Sequence, residues 1–426
     1  MSVCKRLELS ISISPHSGPA PHPDSLAGRI VGGVALGVVG AATLASVAAA
    51  ALTVRVARQV VTPPKTREED IRVIAVGENT ITLTATKDSL LPGRYGLWFD
   101  KGEGHARVGS IVDATAATVT RELVSVDFGV LGAGAKARLS GWFYLGPKEL
   151  GFPYTDVEIE TELGVAPAWL IPAEKPTDSW VIEVHGRAVR RSETLRAVPV
   201  FREAGYTSLL VSYRNDEDAP ASADGRYSLG DAEWRDVDAA LAYAVANGAT
   251  NVVLMGWSMG GAIVLQTATR SANARFIRGI VLDSPVIDWA SVLGFQGAEM
   301  RLPAIASKAV LAVIGNKWGK RLTGQQESIN LARLDFVARA DELSQPILLM
   351  HSDDDGYVPS TPSHALAEAR PDIVTLDAFS VARHTKLWNY DAGRWNVDIA
   401  AWLATLAPSP VAAAKPKRRP SRAPGA

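Results

Sequence analysis

The run Gly256-Trp257-Ser258-Met259-Gly260 stands directly behind the apolar stretch Val252 to Met255 and directly ahead of Gly261 and the helical run Ala262-Ile263-Val264-Leu265. A serine between glycines at a strand-to-helix junction constrains the fold sharply. The turn must raise the serine hydroxyl clear of the sheet, and side chains at the flanking positions would collide with neighbouring strands. Amides at the start of the following helix then face the hydroxyl, where they can stabilise a developing oxyanion. Ser258 is thus predicted to be a nucleophile on a tight turn between a buried strand and a helix.

The surrounding chain has the matching rhythm. Trp180 to Val184, Ser208 to Val211, Ile280 to Leu282, Ile347 to Met350 and Val374 to Leu376 are short apolar runs suited to buried parallel strands. Between two of them, Trp234, Val237, Leu241, Ala244 and Val245 mark one apolar helix face. Alternating strands and helices imply a mainly parallel α/β sheet covered on both faces, over residues 154–406. A longer, mostly helical stretch at about 290–344 interrupts the rhythm and is expected to form a cap over the active site.

A serine hydroxyl is a weak nucleophile unless a base takes its proton and a third group orients the base. After the strand ending at Met350 comes His351-Ser352-Asp353-Asp354-Asp355-Gly356-Tyr357-Val358-Pro359. Asp355 is the expected acid, because its spacing to Val358-Pro359 fits an HGxxDxxVP arrangement with Ser352 in place of the glycine. Asp353 and Asp354 read as turn residues, and Asp283, at the end of the preceding strand, is the alternative acid. Of the seven histidines, His384 follows the last strand and precedes a closing helix, the position for the general base. His351 and His364 are the alternatives. The second oxyanion amide is expected from the loop His185-Gly186-Arg187-Ala188, so the donors would be the backbone amides of Met259 and Arg187. No HExxH or other metal-ligand spacing appears, so no metal or cofactor is expected. Cys4, the only cysteine, excludes a cysteine nucleophile or an internal disulfide in the folded body.

Taken together, Tyr154 to Leu406 resembles the α/β-hydrolase superfamily, in the branch shared by prolyl-oligopeptidase-like peptidases and bacterial esterases. His185-Gly186, Ser258 in GWSMGG, Asp355 before Val358-Pro359, and His384 carry the resemblance. It implies a Ser258–His384–Asp355 triad acting through an acyl-enzyme, and it implies no substrate; hydrolysis of a small acyl ester is the leading expectation because ester chemistry makes the fewest extra demands on a complete triad, with a short peptide as the second substrate class. A non-catalytic binding protein on the same fold is the third reading. The rest of the chain is too short for the β-propeller of the large oligopeptidases.

Outside that region, residues 70–150 show period-two runs such as Thr80 to Thr84 and Ala137 to Tyr144, punctuated by turns, and predict a small β module that packs on the catalytic domain, with substrate gating or partner binding as the alternative role. Residues 30–54, behind an amino-terminal segment 1–29, form an uncharged stretch of about 25 residues, long enough for a membrane-spanning helix. A cleaved export signal is the alternative. Arg55, Arg58, Lys65 and Arg67 on its carboxyl flank place the enzyme in the cytoplasm by the positive-inside rule, whereas an export signal places it outside. Gly33 and Gly37 have the spacing of a helix-pairing motif, which leaves room for a homo-oligomer. Residues 408–426 read as a flexible basic tail. The formal charge of -1 supplies no global field for nucleic acid, and none is expected as a partner.

Overall fold

The computed structural model describes residues 46–216 and 218–406. Most of the expected membrane segment, the amino-terminal segment before it and the basic tail lie outside the described residues. Among the described residues no helix is long and apolar enough to cross a membrane. The chain divides into two compact units, Met1–Thr53 and Val54–Ala426, and the whole architecture below belongs to the second. Helix α1 covers 46–61, and within the second unit its Ala57 and Val61 are fully buried in the main core.

The β module is a closed barrel. Its strands are β1 (Ile71–Val76), β2 (Thr80–Thr84), β3 (Tyr95–Phe99), β4 (Gly104–Ala114), β5 (Thr118–Phe128) and β6 (Lys136–Ser140). They are antiparallel in the order β1-β2-β5-β4-β3-β6, and pairing of Ile71 with Ala137 closes the ring. Closure removes the unpaired edges that so short a sheet would otherwise expose. Alternate residues, including Val73, Leu83, Leu97, Val108 and Leu139, fill the interior. Arg121 is buried among them. Its guanidinium donates to the carbonyls of Gly109, Ser89, Leu91 and Gly93 at 2.7–3.0 Å, so the charge is solvated by backbone and the β2–β3 loop is pinned to the barrel.

The second body is an eight-stranded sheet in the order β14-β13-β12-β11-β9-β10-β8-β7. It begins with an antiparallel hairpin of β7 (Thr155–Thr161) and β8 (Gly164–Ile171), two strands beyond the apolar runs picked out above. Strands β9 (Ser179–Val184), β10 (Thr207–Val211), β11 (Asn251–Trp257), β12 (Ile277–Asp283), β13 (Ile347–Ser352) and β14 (Val374–Phe379) coincide with the expected apolar runs and pair in parallel. Helices α2 (Val198–Glu203), α3 (Trp234–Ala246) and α4 (Met259–Arg270) follow β9, β10 and β11. Residues of α3 and α4 pack on one face of the sheet and residues of α2 on the other. This is the α/β-hydrolase arrangement.

Between β12 and β13 come α5 (Trp289–Glu299), α6 (Ala304–Gly315) and α7 (Lys320–Thr323) with short turns, and after β13 come α8 (Thr361–Ala369), α9 (Leu387–Tyr390) and α10 (Ala392–Thr405). The insertion is helical, as expected, and buries Val292, Val310, Ile314 and Leu334 in the core shared with α3 and α4.

Within the sheet, Glu183 of β9 is fully buried among apolar side chains. Burial pushes its carboxyl up to about 8, and the neighbouring Ser208 and Thr194 hydroxyls oppose this only in part. The folded chain therefore keeps a proton that the unfolded chain releases near pH 4.3, and stability falls as pH rises through that window, by at most about 1.4 kcal/mol per pH unit. Glu183→Gln is expected to gain stability relative to the parent protein between pH 5 and pH 8.5, read by denaturant unfolding. Parallel pH profiles for the two proteins would contradict this.

Candidate active site

Ser258 sits between β11 and α4 with φ 51 and ψ -117, a left-handed backbone that a serine adopts only under constraint. The constraint is visible on every side. The Ser258 amide donates to Asp283 O (3.1 Å), and its carbonyl accepts from Gly261 N (3.0 Å) and Val286 N (2.9 Å). Backbones cross so closely here that a Cβ on Gly260 would lie 2.2 Å from Val184 O, and one on Gly256 would lie 2.5 Å from Gly260 O. Only glycine fits either position.

The structure brings His384 and Asp355 to this serine. His384 Nε2 lies 3.0 Å from Ser258 Oγ, and His384 Nδ1 lies 2.7 Å from Asp355 Oδ2. Asp355 is buried, and its other oxygen accepts from Tyr357 N (2.8 Å) and Val358 N (2.9 Å), which explains why its spacing to Val358 matters. Burial alone would raise the Asp355 carboxyl, but His384 and His351 beside it prevail and hold it well below the usual carboxylate range. An ionised carboxylate of this kind fixes one tautomer and one orientation of the imidazole.

The other candidates are engaged elsewhere. Asp283 is buried, accepts from Trp395 Nε1 (3.0 Å) and Ser284 Oγ (2.9 Å), and supports the sheet instead of meeting His384. Asp353 binds Ser360 and His364, while Asp354 accepts from the amides of Ala382 and Arg383 and so ties the acid turn to the histidine loop. His351 bonds Ser363 Oγ (2.8 Å) and Val358 O (3.2 Å), with Asp355 3.3 Å away. His185 bonds Asp216 (2.8 Å) and stacks on Tyr213, which accounts for both His185 and the acidic residue at 216 as loop structure. Asp236 in turn pairs with Arg214, and Glu233 accepts the amides of Ser228 and Gly230.

Met259 is the first residue of α4, so its amide has no carbonyl a turn earlier to meet. Gly186 closes over the serine, since a Cβ there would lie 3.2 Å from Ser258 Cβ, and Arg187 follows it directly. The Arg187 side chain turns away to the carbonyls of Gln59, Val60 and Thr62. From the linker before the barrel, Arg67 Nη2 donates to Arg187 O (2.9 Å) and to Ala188 O. Arg58 likewise donates to Leu322 O. Two of the charges counted on the flank of residues 30–54 are therefore spent on internal contacts.

The barrel reaches the other side of the site. Asp88, on the β2–β3 loop, accepts from Lys386 Nζ (2.6 Å) and Arg383 Nε (3.1 Å), the residues on either side of the His384–Thr385 pair. Burial would raise the Asp88 carboxyl, but these two cations hold it below its ordinary range. The histidine loop needs such support, because Arg383 and Thr385 both have left-handed backbones, at φ 61 and φ 51. Nothing in the local sequence singles out Asp88.

Two cavities share Arg67 and Arg138 in their walls, and the smaller has His384 in its wall. One of about 320 Å³ is lined by His384, Tyr357, Glu193, Arg67 and Arg138, and one of about 1200 Å³ by Ala188, Trp98, Trp142, Trp169, Arg67 and Arg138. The expected cap contributes to neither. Barrel and linker residues form these walls together with loops of the sheet domain, and the insertion reaches wall residues through Gln296 Nε2, which donates to Tyr357 O (3.2 Å), and Gln326 N, which donates to Asp224 Oδ2 (2.7 Å). The insertion packs Val292, Val310, Ile314 and Leu334 into the core shared with α3 and α4 and leaves Met300, Ile305 and Trp318 exposed.

Residues 195–406 match the prolyl oligopeptidase family, and residues 72–140 match a domain of unknown function, DUF8805. No curated protein matches the sequence. Among solved structures, an esterase of Pyrococcus furiosus is similar at 20% identity and a TM-score of 0.48, covering 61% of this chain and 94% of that one. An esterase of a Rhodococcus species is similar at 17% identity and a TM-score of 0.41, over 59% of this chain and 99% of that one. The esterase domain of a Rhodothermus marinus protein is similar at 20% identity and a TM-score of 0.40, over 59% and 97%.

Asp88→Asn is expected to lower kcat on an activated aryl ester about tenfold or more while KM moves less than about threefold, with Asp88→Glu recovering part of the loss. Unaltered kcat in a folded Asp88→Asn protein would show that the histidine loop holds its place without the barrel.

Proposed function

Residues 195–406 of this chain belong to the prolyl oligopeptidase family of α/β-hydrolases, and from that premise we propose that the protein, a serine hydrolase, cleaves carboxylic esters through an acyl-enzyme. The observation that carries the reading is the continuous relay from Ser258 Oγ through His384 to the ionised Asp355. In the forward step Ser258 Oγ attacks the acyl carbonyl as His384 Nε2 takes its proton. Asp355 stabilises the imidazolium that results and keeps its Nδ1 proton in place. The carbonyl oxygen becomes an oxyanion between the amides of Met259 and Arg187, a contribution typically worth about 2.7–4 kcal/mol per donor. His384 then delivers its proton to the departing alkoxide, and water repeats the sequence to free Ser258.

Ester cleavage asks least of this machinery, because an ester is the more electrophilic acyl group and its alkoxide leaves more readily than an amide nitrogen, which must be protonated before it departs. Peptide or aminoacyl cleavage is the second reading, favoured by the family match itself. The uncharged stretch at 30–54 supports a membrane tether for the enzyme.

Aryl esters of graded acyl length and aminoacyl anilides, given to the protein and to Ser258→Ala, separate the readings. Esters are expected to turn over with kcat/KM about a hundredfold or more above the anilides, and Ser258→Ala is expected to lower both by at least about a thousandfold. Turnover confined to anilides would move the assignment to peptide cleavage.

A further inference from the structure

Arg138 of β6 lines both cavities, the smaller of which has His384 in its wall and the larger of which shares Arg67 and Arg138 with it. Its guanidinium lies 5.6 Å from the ring centre of Trp98, its cross-strand partner on β3. Arg67 lines the same two cavities from the linker side and gives its bonds to neutral carbonyls of the Arg187 loop. Among the described residues neither guanidinium has a carboxylate within ion-pair distance. Burial and the repulsion of Arg67 both work against the charge of Arg138, while Glu193, Glu69 and Asp70 favour it only from a distance.

Four carboxylates, Glu68, Asp70, Asp88 and Glu193, share the wall of the smaller cavity, and among the described residues none of them lies within ion-pair distance of Arg138 or Arg67. Asp88 is held by Lys386 and Arg383, Glu69 accepts from Lys101 N (2.6 Å), and the cation nearest Glu193 is Arg196 at 3.9 Å. A half-buried cation without a counter-charge costs free energy that a folded protein recovers only when something anionic arrives. The larger cavity is also lined by aromatic faces, those of Trp98, Trp142, Phe128 and Trp169. Such walls suit a flat or extended apolar body and leave the guanidinium to fix its charged end, where a carboxylate meets the two-pronged donor geometry of arginine best.

We propose that Arg138 is a specificity-determining residue of the barrel, seating a carboxylate on the substrate so that the enzyme prefers acidic esters over neutral ones of the same size. The proposal rests on the serine-hydrolase reading and deepens it. The part of the substrate away from the scissile bond lies against the barrel, and the interior of the sheet domain holds none of it. Arg67 carries the second positive charge at the same spot and links it to the loop that would supply the oxyanion amide, so occupancy of the subsite and order in that loop favour one another.

The test compares two matched pairs of esters. In the first the charge is on the acyl side, 4-nitrophenyl hydrogen glutarate against 4-nitrophenyl valerate; in the second it is on the leaving group, 4-acetoxybenzoate against its methyl ester. In one of the pairs the acidic member is expected to have at least a tenfold higher kcat/KM, expressed mainly in KM. Arg138→Gln is expected to cut that acidic-to-neutral ratio at least tenfold, and Arg138→Lys to keep most of it. Working with the ratio removes any general loss of activity from the comparison. Turnover of the neutral esters with no acidic preference in either pair, or a preference that Arg138→Gln leaves intact, overturns the proposal and spares the hydrolase reading. Failure to hydrolyse any of the four esters, with Ser258→Ala indistinguishable from the parent protein, overturns both.

Discussion

The left-handed backbone at Ser258 is the constraint on which the rest of the molecule turns. A non-glycine residue in that region costs about 1–3 kcal/mol and persists only where its surroundings over-determine it. Three backbone hydrogen bonds to and from Ser258, glycines pressed against the carbonyls of Val184 and Gly260, and the parallel pairing of β11 with β9 and β12 supply that over-determination. The strain leaves the serine hydroxyl at the carboxyl edge of the sheet, within 3.0 Å of His384. A relaxed turn would carry the hydroxyl away from both the histidine and the helix start.

Support for the histidine comes from a separate body. Arg121, buried inside the barrel, binds the carbonyls of Ser89, Leu91 and Gly93 and so fixes the loop that carries Asp88; Asp88 in turn binds the cations around His384. A Cβ on Gly141 would lie 2.3 Å from Thr385 O, so the end of β6 also presses on the histidine loop. The barrel is thus built into the surroundings of the histidine.

How much of this could be read from the sequence follows the range of the physics involved. Buried strands and the serine turn write themselves as short apolar runs and local glycines, and β9 to β14 fall where those runs stand. The choice of Asp355 over its neighbours rested on the spacing to Val358, whose amide the carboxylate binds. Asp88 had no such signature: in Thr86-Lys87-Asp88-Ser89 it reads as a turn residue, and its partners lie near the other end of the chain. Arg121 occupies an alternating strand where a charge ordinarily faces water, and only barrel closure turns it inward. The insertion at 290–344 shows in the pattern as a helical interruption, whereas docking of a barrel beside the site depends on side-chain complementarity between distant segments.

The central claim is that Ser258 is the activated nucleophile, and covalent labelling tests it most directly. The folded protein is treated with a fluorophosphonate, and the modified peptide is located by mass spectrometry. The account predicts one adduct per chain on Ser258, absent in Ser258→Ala and formed at least about a hundredfold more slowly in His384→Ala. No adduct on the folded protein, or an adduct on another serine with Ser258 unmodified, would contradict it.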